Sequence, residues 1–470
     1  MRHAKPTLAA ILCSAAVLAA AGCSAGTPTV PAFATGGYRA VPASSGGAAI
    51  KHVVIIIQEN RTLDNMFQGY PGADTVSSGK TSTGKIVPLR PASLSISPPY
   101  VLDHSAAGMF AACDGTGALP GTDCRNDGFD RVEQYCYSPG CPAPPYNYVY
   151  VPHTESQPYF EMAHEGVLAD HNFQSHLDES FVGHQYLIAA QADSAVDLPS
   201  LALEWGCPGP GGRKPASSAP VSLVSTITVK RQYGKEESAC FDYKTLADEL
   251  TAAGLTWKFY AGAYEEPSGS SGEWSAYQAV RHIFYSKAWT DDVITPQTRF
   301  ITDVAAGKLA NVTWITPICN NSDHANCGGG FGPSWVAALV NAVGKSDFWK
   351  STAIFVVWDD WGGLYDHVPP PHVDYDGLGF RVPMVIVSPY ARRGHVSHVQ
   401  YESSSVLTFT EDVFGLGRLA AADARATSPA ADCFDFGQKP LHFIPIKAPK
   451  DTGFFMTQQP DLRIPDADDE

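Results

Sequence analysis

The chain has 470 residues, of which 44% are hydrophobic and 17% are charged. This composition excludes a disordered or fibrous protein and supplies enough apolar material for a large core. The formal net charge of −16 repels polyanions, so nucleic acid is not expected as a partner. The length allows two or three domains, or one large α/β domain with long insertions.

The first 23 residues have the features of an export signal. Arg2 and Lys5 precede an apolar run at 8–21 that is too short to span a bilayer. The run ends in LAAAGC, which is similar to a bacterial lipobox with Cys23 as the modified residue. We therefore expect a signal peptide over 1–23 and a lipid anchor at Cys23. Ordinary cleavage nearby, with release of a secreted protein, is the alternative, and a buried N-terminal helix is disfavoured by the basic start.

Residues 24–48 are rich in Ala, Gly, Ser, Thr and Pro and carry almost no charge, which predicts a flexible linker. The β-branched run at 52–57 then predicts a strand buried on both faces, as in a parallel sheet. Runs at 352–357 and 382–387 match this pattern.

A helical pattern spans 243–253, with Gly254 as a plausible C-cap. Strands that alternate with helices predict an α/β sheet domain, which we place at 49–446. Residues 447–470 are polar and contain proline, and we expect a tail that wraps or frays.

Nine of the eleven cysteines follow Cys23, several of them in turn-rich stretches at 71–150 and 205–240. In an exported protein they predict disulfides that staple loop insertions. A structural zinc site is the alternative, but the spacings do not form paired CxxC motifs. An odd number implies at least one free thiol, and the connectivity stays open.

Polar residues directly follow two of the predicted strands. Glu59 and Asn60 follow the first strand, and Asp359 and Asp360 follow the strand at 352–357. In an open α/β sheet the carboxyl ends of the strands form the ligand-binding edge. One such pair alone would be an ordinary polar strand end. Three carboxylates and an amide oxygen together suit a divalent cation.

Several segments resemble, in order, the motifs of a family of bacterial phosphoesterases that includes phospholipase C enzymes and a branch of acid phosphatases. They are HVVIIIQENRTLD at 52–64, DHS at 103–105, NDGF at 126–129, LADHNFQS at 168–175, AAGKL at 305–309 with VTWI at 312–315, WDDWGGLYDHVPP at 358–370, and FRVPMVIVSP at 380–389. The resemblance covers the chain from about residue 50 to about residue 417. It implies an alkaline-phosphatase-like α/β fold, with a largely parallel central sheet flanked by helices. The cysteine-bearing stretches would be long disulfide-bearing loop insertions in that fold.

Carried over residue by residue, the resemblance implies one set of metal ligands, which are Glu59, Asn60, Asp359, Asp360 and Ser180. Ser180, in DESFVGH at 178–184, also takes the place of the nucleophile. The family commonly has Gly-Pro before this residue and Pro-Asn after it, where this chain has Asp-Glu and Phe-Val-Gly. Ser175 is therefore the fallback nucleophile, and an ordinary structural serine is the alternative.

The resemblance also implies that His104, His324 and His282 contact the phosphoryl oxygens or the leaving group. His282 lies in the least regular of the motifs, and a lone histidine is more often structural than catalytic. His367, which follows Asp366, would orient the turn around the site or have a purely structural role.

These residues imply metal-dependent phosphoryl transfer in two steps. Ser180 would attack phosphorus, a histidine would protonate the leaving alkoxide, and water would cleave the phosphoserine. Oxygen ligands suit calcium, magnesium or manganese, and the histidines would also admit zinc or iron, so the identity of the divalent metal stays open.

The leading hypothesis is a phosphomonoesterase of the acid-phosphatase type, because the family's phospholipases tend to have Asp-Glu in place of Asp359-Asp360. The second is a phospholipase C acting on phospholipid headgroups, in which Trp358 and Trp361 would contact choline or simply pack in the core. The third is a surface lipoprotein that binds a metal or a phosphorylated ligand without turnover. Membrane contact would come through the lipid anchor, and the oligomeric state stays open.

Overall fold

The computed structural model describes residues 49–96, 100–136, 144–200, 205–209, 221–262, 274–325, 327–459 and 461. The predicted signal peptide at 1–23, including Cys23, and the predicted linker at 24–48 lie outside these residues.

One eight-stranded sheet organises the described chain. Its strands, numbered in chain order, are β1 (His52–Gln58), β2 (Val167–Ala169), β3 (Trp257–Tyr260), β4 (Val293–Ile294), β5 (Val312–Ile315), β6 (Thr352–Trp358), β7 (Met384–Val387) and β8 (His395–Ser397). Their order across the sheet is β4-β3-β5-β1-β6-β7-β2-β8. The neighbours pair in parallel, except that β7 runs antiparallel to both β6 and β2.

The predicted α/β class with a largely parallel sheet is therefore confirmed. The predicted strands at 52–57 and 352–357 correspond to β1 and β6, and the run at 382–387 corresponds to β7. The suggestion that this third run belongs to a parallel arrangement is wrong. A run of apolar residues reports burial on both faces, and β7 is buried while running in the opposite direction.

Helices flank the sheet. They are α1 (Leu63–Phe67), α2 (Ala106–Cys113), α3 (His153–Glu165), α4 (Ser180–Ala189), α5 (Leu246–Ala252), α6 (Arg281–Phe284), α7 (Lys287–Asp292), α8 (Arg299–Ala305), α9 (Gly332–Gly344), α10 (Ser405–Phe414), α11 (Ala421–Arg425) and α12 (Thr452–Thr457). Short 3₁₀ turns lie at Phe129–Arg131, Ala276–Ala279, Cys319–Asn321 and Asp347–Ser351.

Small strands outside the main sheet pair locally within the loops. They lie at Ser78–Lys80, Ile86–Pro88, Arg90–Pro91, Tyr100–Leu102, Gln134–Cys136, Val149–Tyr150, Asn172–Phe173, Ala195–Val196, Leu223–Thr226, Glu237–Ser238 and Tyr401–Glu402. They lie outside the eight-stranded sheet, so its strand ends are free to meet the loops that form the site.

The core lies on both faces of β1. Ile55 packs in one apolar layer with Leu187 of α4, and Ile56 packs in the other with Leu339 of α9. Because successive side chains of a strand point to opposite faces, a strand covered by helices on both faces must be apolar throughout. This arrangement fixes β1 and α4 relative to each other, and both carry residues of the predicted site.

Helix α5 begins at Leu246, three residues after the predicted start at 243. Thr245 caps it, because its backbone N–H and hydroxyl both donate to Asp248 Oδ2 at 2.8 Å. The predicted C-terminal glycine is confirmed, since Gly254 has a φ of +71° just after the helix ends.

Disulfides join Cys113 to Cys124, Cys207 to Cys240, and Cys319 to Cys327. They confirm the prediction of stapled loops, and they indicate an oxidising, extracytoplasmic compartment. Among the described cysteines, Cys433 is a buried free thiol. In the part of the chain that the structure describes, no helix combines the length and apolar character needed to cross a membrane.

The described part of the tail packs back onto the domain. After α12, the side chain of Gln458 exchanges two hydrogen bonds with the Asn321 side chain, at 2.9 and 3.0 Å. The backbone N–H of Asn320 donates to Asp461 at 3.0 Å. This segment therefore wraps, and it holds the loop that carries His324.

Candidate active site

The two predicted pairs of polar residues meet at adjacent strand ends. Strands β1 and β6 pair in parallel with Gln58 opposite Trp358, so the residues that follow them lie side by side. The Asp359 N–H donates to the Gln58 carbonyl at 3.0 Å, and the Asn60 N–H donates to Asp359 Oδ1 at 2.9 Å. The structure thus brings Glu59-Asn60 and Asp359-Asp360 together.

The chain turns sharply at Asn60, whose backbone has the left-handed conformation. Asn60 has a φ of +57°, a conformation that asparagine tolerates better than most residues. Gly362 packs against it, and a Cβ at that position would lie 2.5 Å from the Asn60 carbonyl oxygen. The glycine after the Asp-Asp pair is therefore required by the close approach of two backbones.

Ser180 is the first residue of α4 and points at the same strand ends. Its hydroxyl donates to Asp360 Oδ2 at 2.9 Å and lies 3.3 Å from Asn60 Oδ1. The first N–H groups of a helix have no partner within it and favour negative charge. The N-terminus of α4 therefore supplies donors for an anion held next to this hydroxyl.

Ser175 is placed elsewhere. It is buried, its hydroxyl donates to Ser404 Oγ at 3.1 Å, and it accepts the Ser404 backbone N–H at 2.9 Å. These contacts belong to the start of α10 and involve none of the predicted ligands. The geometry favours Ser180 over this fallback.

His104 lies against Asn60. Its Nδ1–H donates to the Leu102 carbonyl at 2.9 Å, which leaves Nε2 to accept from Asn60 Nδ2 at 3.0 Å. The same Nε2 lies 3.7 Å from Glu179 Oε2 and 3.9 Å from Asp360 Oδ2. One imidazole nitrogen thus faces the space shared by Ser180 and the carboxylates.

His184, which the sequence analysis missed, is also part of the site. Its Nε2 lies 3.3 Å from Glu59 Oε1 and 3.7 Å from Asp359 Oδ2. Burial lowers the pKa of His184 to about 4, and Asp359 opposes that shift, so the ring is neutral and able to ligate a metal. Its position one helical turn after Ser180 is the signal that could have found it, because residues four apart share a helix face.

The loop that carries His324 is tied to the end of β1. The Asp323 N–H donates to the Gln58 side chain at 2.9 Å, and Arg61 Nε donates to the Asp323 carbonyl at 2.8 Å. The His324 ring is buried and packs near Trp274, with 5.9 Å between ring centroids. The disulfide between Cys319 and Cys327 closes this loop beside the site.

His282 is not brought to the site. It lies on α6, where its ring nitrogens contact Asp242 at 3.0 Å and Asp248 at 2.9 Å. Its side chain is 37% exposed, and both partners are surface carboxylates near the start of α5. The observed contacts are those of a surface ion pair.

His367 and the two tryptophans have supporting positions. His367 Nδ1 lies 2.7 Å from Asp64 Oδ2, which anchors the turn after Asp366. Both indoles are fully buried; that of Trp361 donates to the His104 carbonyl at 3.0 Å and that of Trp358 to Asp323 Oδ2 at 3.0 Å. They pack in the core and hold loops of the site in place.

The carboxylates are buried and unequal. Burial and the charge of Asp359 raise the pKa of Asp360 well above its usual range. Burial also pushes the pKa of Asp359 upward, but His184, Glu59 and the Asn60 N–H outweigh it, and the net direction is down. Asp359 Oδ2 is buried and makes no hydrogen bond among the described residues.

The nearest arginine in the sequence does not compensate these charges. Arg61 directs its guanidinium to the carbonyls of Asp323 and Leu94, at 2.8 and 2.6 Å. Ligand atoms of Glu59, His184 and Asp359 lie within 4.8 Å of one another, all of them buried. This group could hold a metal ion, and its mix of carboxylate and imidazole fits a divalent cation.

The fold and the strand-end carboxylates thus define an α/β protein with a candidate metal site beside a serine at a helix N-terminus. The sequence model described as "Phosphoesterase family" matches residues 50–417. The chain belongs to this phosphoesterase family, as its motifs had indicated.

Two relatives align with most of the chain. It is 26% identical over 444 residues to the non-hemolytic phospholipase C of Burkholderia pseudomallei, covering 80% of this chain and 57% of that protein. It is 24% identical over 448 residues to the non-specific phospholipase C3 of Arabidopsis thaliana, covering 83% of this chain and 77% of that protein. The chain thus spans little more than half the length of the Burkholderia relative.

Among solved structures, a protein in the alkaline phosphatase superfamily from Vibrio parahaemolyticus is similar with a TM-score of 0.34 and 12% identity. The match covers 81% of this chain and 72% of that one.

Proposed function

We propose that this protein is a metal-dependent phosphoesterase with Ser180 as its nucleophile. The observation that carries the proposal is the position of the Ser180 hydroxyl, which donates to Asp360 Oδ2 at 2.9 Å from the first turn of a helix. A phosphoryl group beside it would meet helix N–H donors on one side and His104 on another.

The residues present fit a divalent cation. Asp359 and Asp360 are fully buried, and the nearest basic side chains among the described residues are the imidazoles of His184 and His104, at 3.7 and 3.9 Å. Two adjacent carboxylates that are buried without a lysine or arginine are costly unless another cation compensates them. The residues that would hold it are Glu59, Asn60, Asp359, Asp360, Ser180 and His184. When bound, such an ion supplies positive charge for the phosphoryl oxygens and lowers the pKa of a coordinated hydroxyl.

The protein's own groups account for the proton movements. Asp360 Oδ2 accepts the hydrogen bond of the Ser180 hydroxyl at 2.9 Å, so it is placed to take the hydroxyl proton. As the Ser180 oxygen bonds to phosphorus, the bond from phosphorus to the leaving oxygen breaks. In its protonated form His104 would give its Nε2 proton to that oxygen, and Glu179 Oε2, 3.7 Å away, would stabilise the imidazolium. Water then attacks phosphorus and gives a proton to His104, and the bond between phosphorus and the Ser180 oxygen breaks as Asp360 returns the proton to that oxygen.

The substrate class that we favour is the phosphodiester of a phospholipid headgroup. The relatives that align with most of the chain are named phospholipases C, which supports the second of the sequence hypotheses over a phosphomonoesterase. The Glu179 carboxylate beside His104 points the same way. It disfavours a dianionic monoester relative to a monoanionic diester whose headgroup is cationic.

The site is buried, and the part of it that solvent reaches is formed by Asn60, His104 and Glu179. Asn60, His104 and Glu179 keep 3%, 5% and 6% of their surface exposed, whereas Ser180 and both aspartates keep none. The lipid anchor predicted at Cys23 would hold the domain beside a membrane and its phospholipids.

The test is an assay of purified protein on p-nitrophenyl phosphate, p-nitrophenylphosphorylcholine and phosphatidylcholine vesicles, with and without a chelator. We expect turnover of the choline esters above that of the monoester, and loss of turnover on metal removal. Ser180→Ala should lose roughly 10³-fold or more in kcat, as enzymes do without their nucleophile.

Ser175→Ala is the matched control, because it removes a buried hydroxyl that bonds to Ser404 at the start of α10 and contacts none of the proposed metal ligands. Its turnover should match the parent, and an equal loss in both variants would contradict the assignment. Faster turnover of the monoester than of the choline esters would favour the acid-phosphatase hypothesis. No hydrolysis of any ester by metal-replete protein would support the non-catalytic binding protein.

A further inference from the structure

A second group of metal-ligating side chains lies at the same edge of the sheet as the candidate active site. Asp170 and His171 follow β2, and His398 follows β8. These strands pair in parallel with Ala169 opposite Ser397, and the Asp170 N–H donates to the Ser397 carbonyl at 3.0 Å. Two neighbouring strand ends therefore present these side chains at the same level.

A loop completes the group, which we call the edge cluster: Asp74, Asp170, His171 and His398. The Asp74 backbone N–H donates to Asp170 Oδ2 at 2.8 Å, so the loop is fastened to the strand end. The edge cluster shares no residue with the site around Ser180.

We propose that the edge cluster binds a divalent zinc-like cation. His398 Nδ1 lies 2.8 Å from Asp170 Oδ2, and His171 Nε2 lies 3.2 Å from Asp74 Oδ2. Ligand atoms of Asp170, His171 and His398 all lie within 4.8 Å of one another. Zinc–ligand bonds of about 2.0–2.2 Å place tetrahedral ligand atoms roughly 3.4 Å apart. The two observed separations, 2.8 and 3.2 Å, are shorter than that value, so these ligand atoms would move slightly apart as a cation enters.

The neighbouring contacts hold the carboxylates of the edge cluster in place and leave its histidines open to solvent. Asp170 is fully buried and fixed by its strand, whereas His171 and His398 keep 28% and 60% of their side chains exposed. An ion can therefore enter from solvent onto an anchored carboxylate. His367 Nε2 contacts the other oxygen of Asp74 at 3.2 Å, which orients that carboxylate from outside the cluster.

The charge balance also favours a cation. Among the described residues, Arg381 faces the edge cluster: its Nη1 donates to the backbone carbonyls of Asp74 and Asp170, at 3.1 and 2.9 Å, and lies 3.9 Å from Asp74 Oδ2. Its short ion pair is made instead with Asp366, at 2.8 Å. Asp170 offers a carboxylate, and His171 and His398 offer imidazoles, which is a donor set that zinc prefers over calcium because calcium takes oxygen ligands.

The test measures the number of zinc ions bound per chain of the full-length protein. The protein is stripped with a chelator, dialysed against Zn²⁺ alone, and analysed for zinc per chain. We expect the parent to bind one equivalent more than His171→Ala/His398→Ala, while hydrolysis of the esters is the same in both. Cobalt substitution should give the visible absorption of a tetrahedral site in the parent and weaken it in the double variant.

His164→Ala is the matched control, since His164 is an exposed histidine beside a carboxylate, Glu165, on α3. It should bind as much zinc as the parent. If the double variant does not fold, His398→Gln replaces it and should weaken zinc binding about tenfold or more.

Equal zinc content in the parent and the double variant would overturn the proposal, as would an equal loss in His164→Ala. A failure of ester hydrolysis in every protein would bear on Ser180 and leave this zinc count unaffected.

Discussion

Two groups of buried carboxylates lie at the carboxyl edge of this sheet, and they are compensated in different ways. Asp64 and Asp366 are fully buried beside Arg381, which pairs with Asp366 at 2.8 Å and lies 3.7 Å from Asp64. We call this group the arginine cluster. Asp359 and Asp360 are equally buried, but their partners are imidazoles at 3.7 and 3.9 Å.

The difference separates a structural group from a functional one. The buried Arg381 guanidinium compensates Asp366 at all times, and His367 contacts Asp64, so this group has basic partners within the protein itself. Among the described residues, Asp359 and Asp360 have no lysine or arginine as an ion-pair partner, and Asp359 Oδ2 makes no hydrogen bond. A site of this kind costs stability when empty and gains it when a cation binds.

The largest expected effect separates the two groups by activity. Asp359→Asn removes a charge from the active site, and we expect roughly 10³-fold lower kcat/KM, since positioned metal charge is worth several kcal/mol in the transition state. Asp366→Asn should instead lower the stability and leave the kcat/KM of the folded fraction near the parent value. Steady-state assays measure kcat/KM and urea denaturation measures the stability of both variants. Equal losses of activity in the two variants would contradict the distinction between the two groups.

The next effect tests the arginine cluster by stability. Arg381→Met removes the cation that pairs with Asp366 and leaves the His367 imidazole as the remaining basic partner of Asp64, which should cost about 3–5 kcal/mol in the free energy of unfolding. Arg393→Met is the control, because Arg393 pairs with Glu165 at 3.1 Å at the surface and should cost less than about 1 kcal/mol. Urea unfolding measures both, and similar losses would remove the distinction.

A smaller effect concerns the pH dependence of the metal-free protein. Burial and Asp359 raise the pKa of Asp360 above its unfolded value, so folding favours the protonated acid. Stability without metal should therefore fall as the pH rises from about 4 through the folded pKa. Asp360→Asn should remove this fall and stabilise the metal-free protein at neutral pH by roughly 1 kcal/mol or more. A parallel pH profile in the two proteins would contradict the assignment.

The smallest effect is expected at His282. The hydrogen bond with Asp248 raises its pKa, so its stabilising contribution is complete below about pH 6.5 and disappears as the pH rises through the folded pKa. Because the pair is exposed, His282→Asn should cost less than about 0.5 kcal/mol, and only at acidic pH. Its activity should equal that of the parent, and a large loss would restore the catalytic role that the sequence suggested.

Much of the fold could be read from residue patterns. The apolar runs located β1 and β6 because a strand covered on both faces must be apolar. The direction of β7 could not be predicted from the sequence, because an apolar run indicates that a strand is buried and not which way it runs. The start of α5 was readable from Thr245 and Asp248, whose spacing is that of a capping box.

The candidate site was only partly predictable. Glu59, Asn60, Asp359 and Asp360 could be placed together because they follow neighbouring strands. His184 was missed although its spacing from Ser180 indicates one helix face. The edge cluster could be recognised only from the structure, because nothing in the sequence shows that β2 and β8 are neighbours.

The most direct test of the central proposal measures metal-linked stability with the edge cluster removed. In the His171→Ala/His398→Ala background, unfolding is followed without metal and with a divalent cation at about 100 times its Kd. We expect a gain of about 2.7 kcal/mol in this protein and no gain once Asp359→Asn is added. An equal gain in both proteins would show that the cation binds elsewhere and contradict the assignment of the buried carboxylates as its ligands.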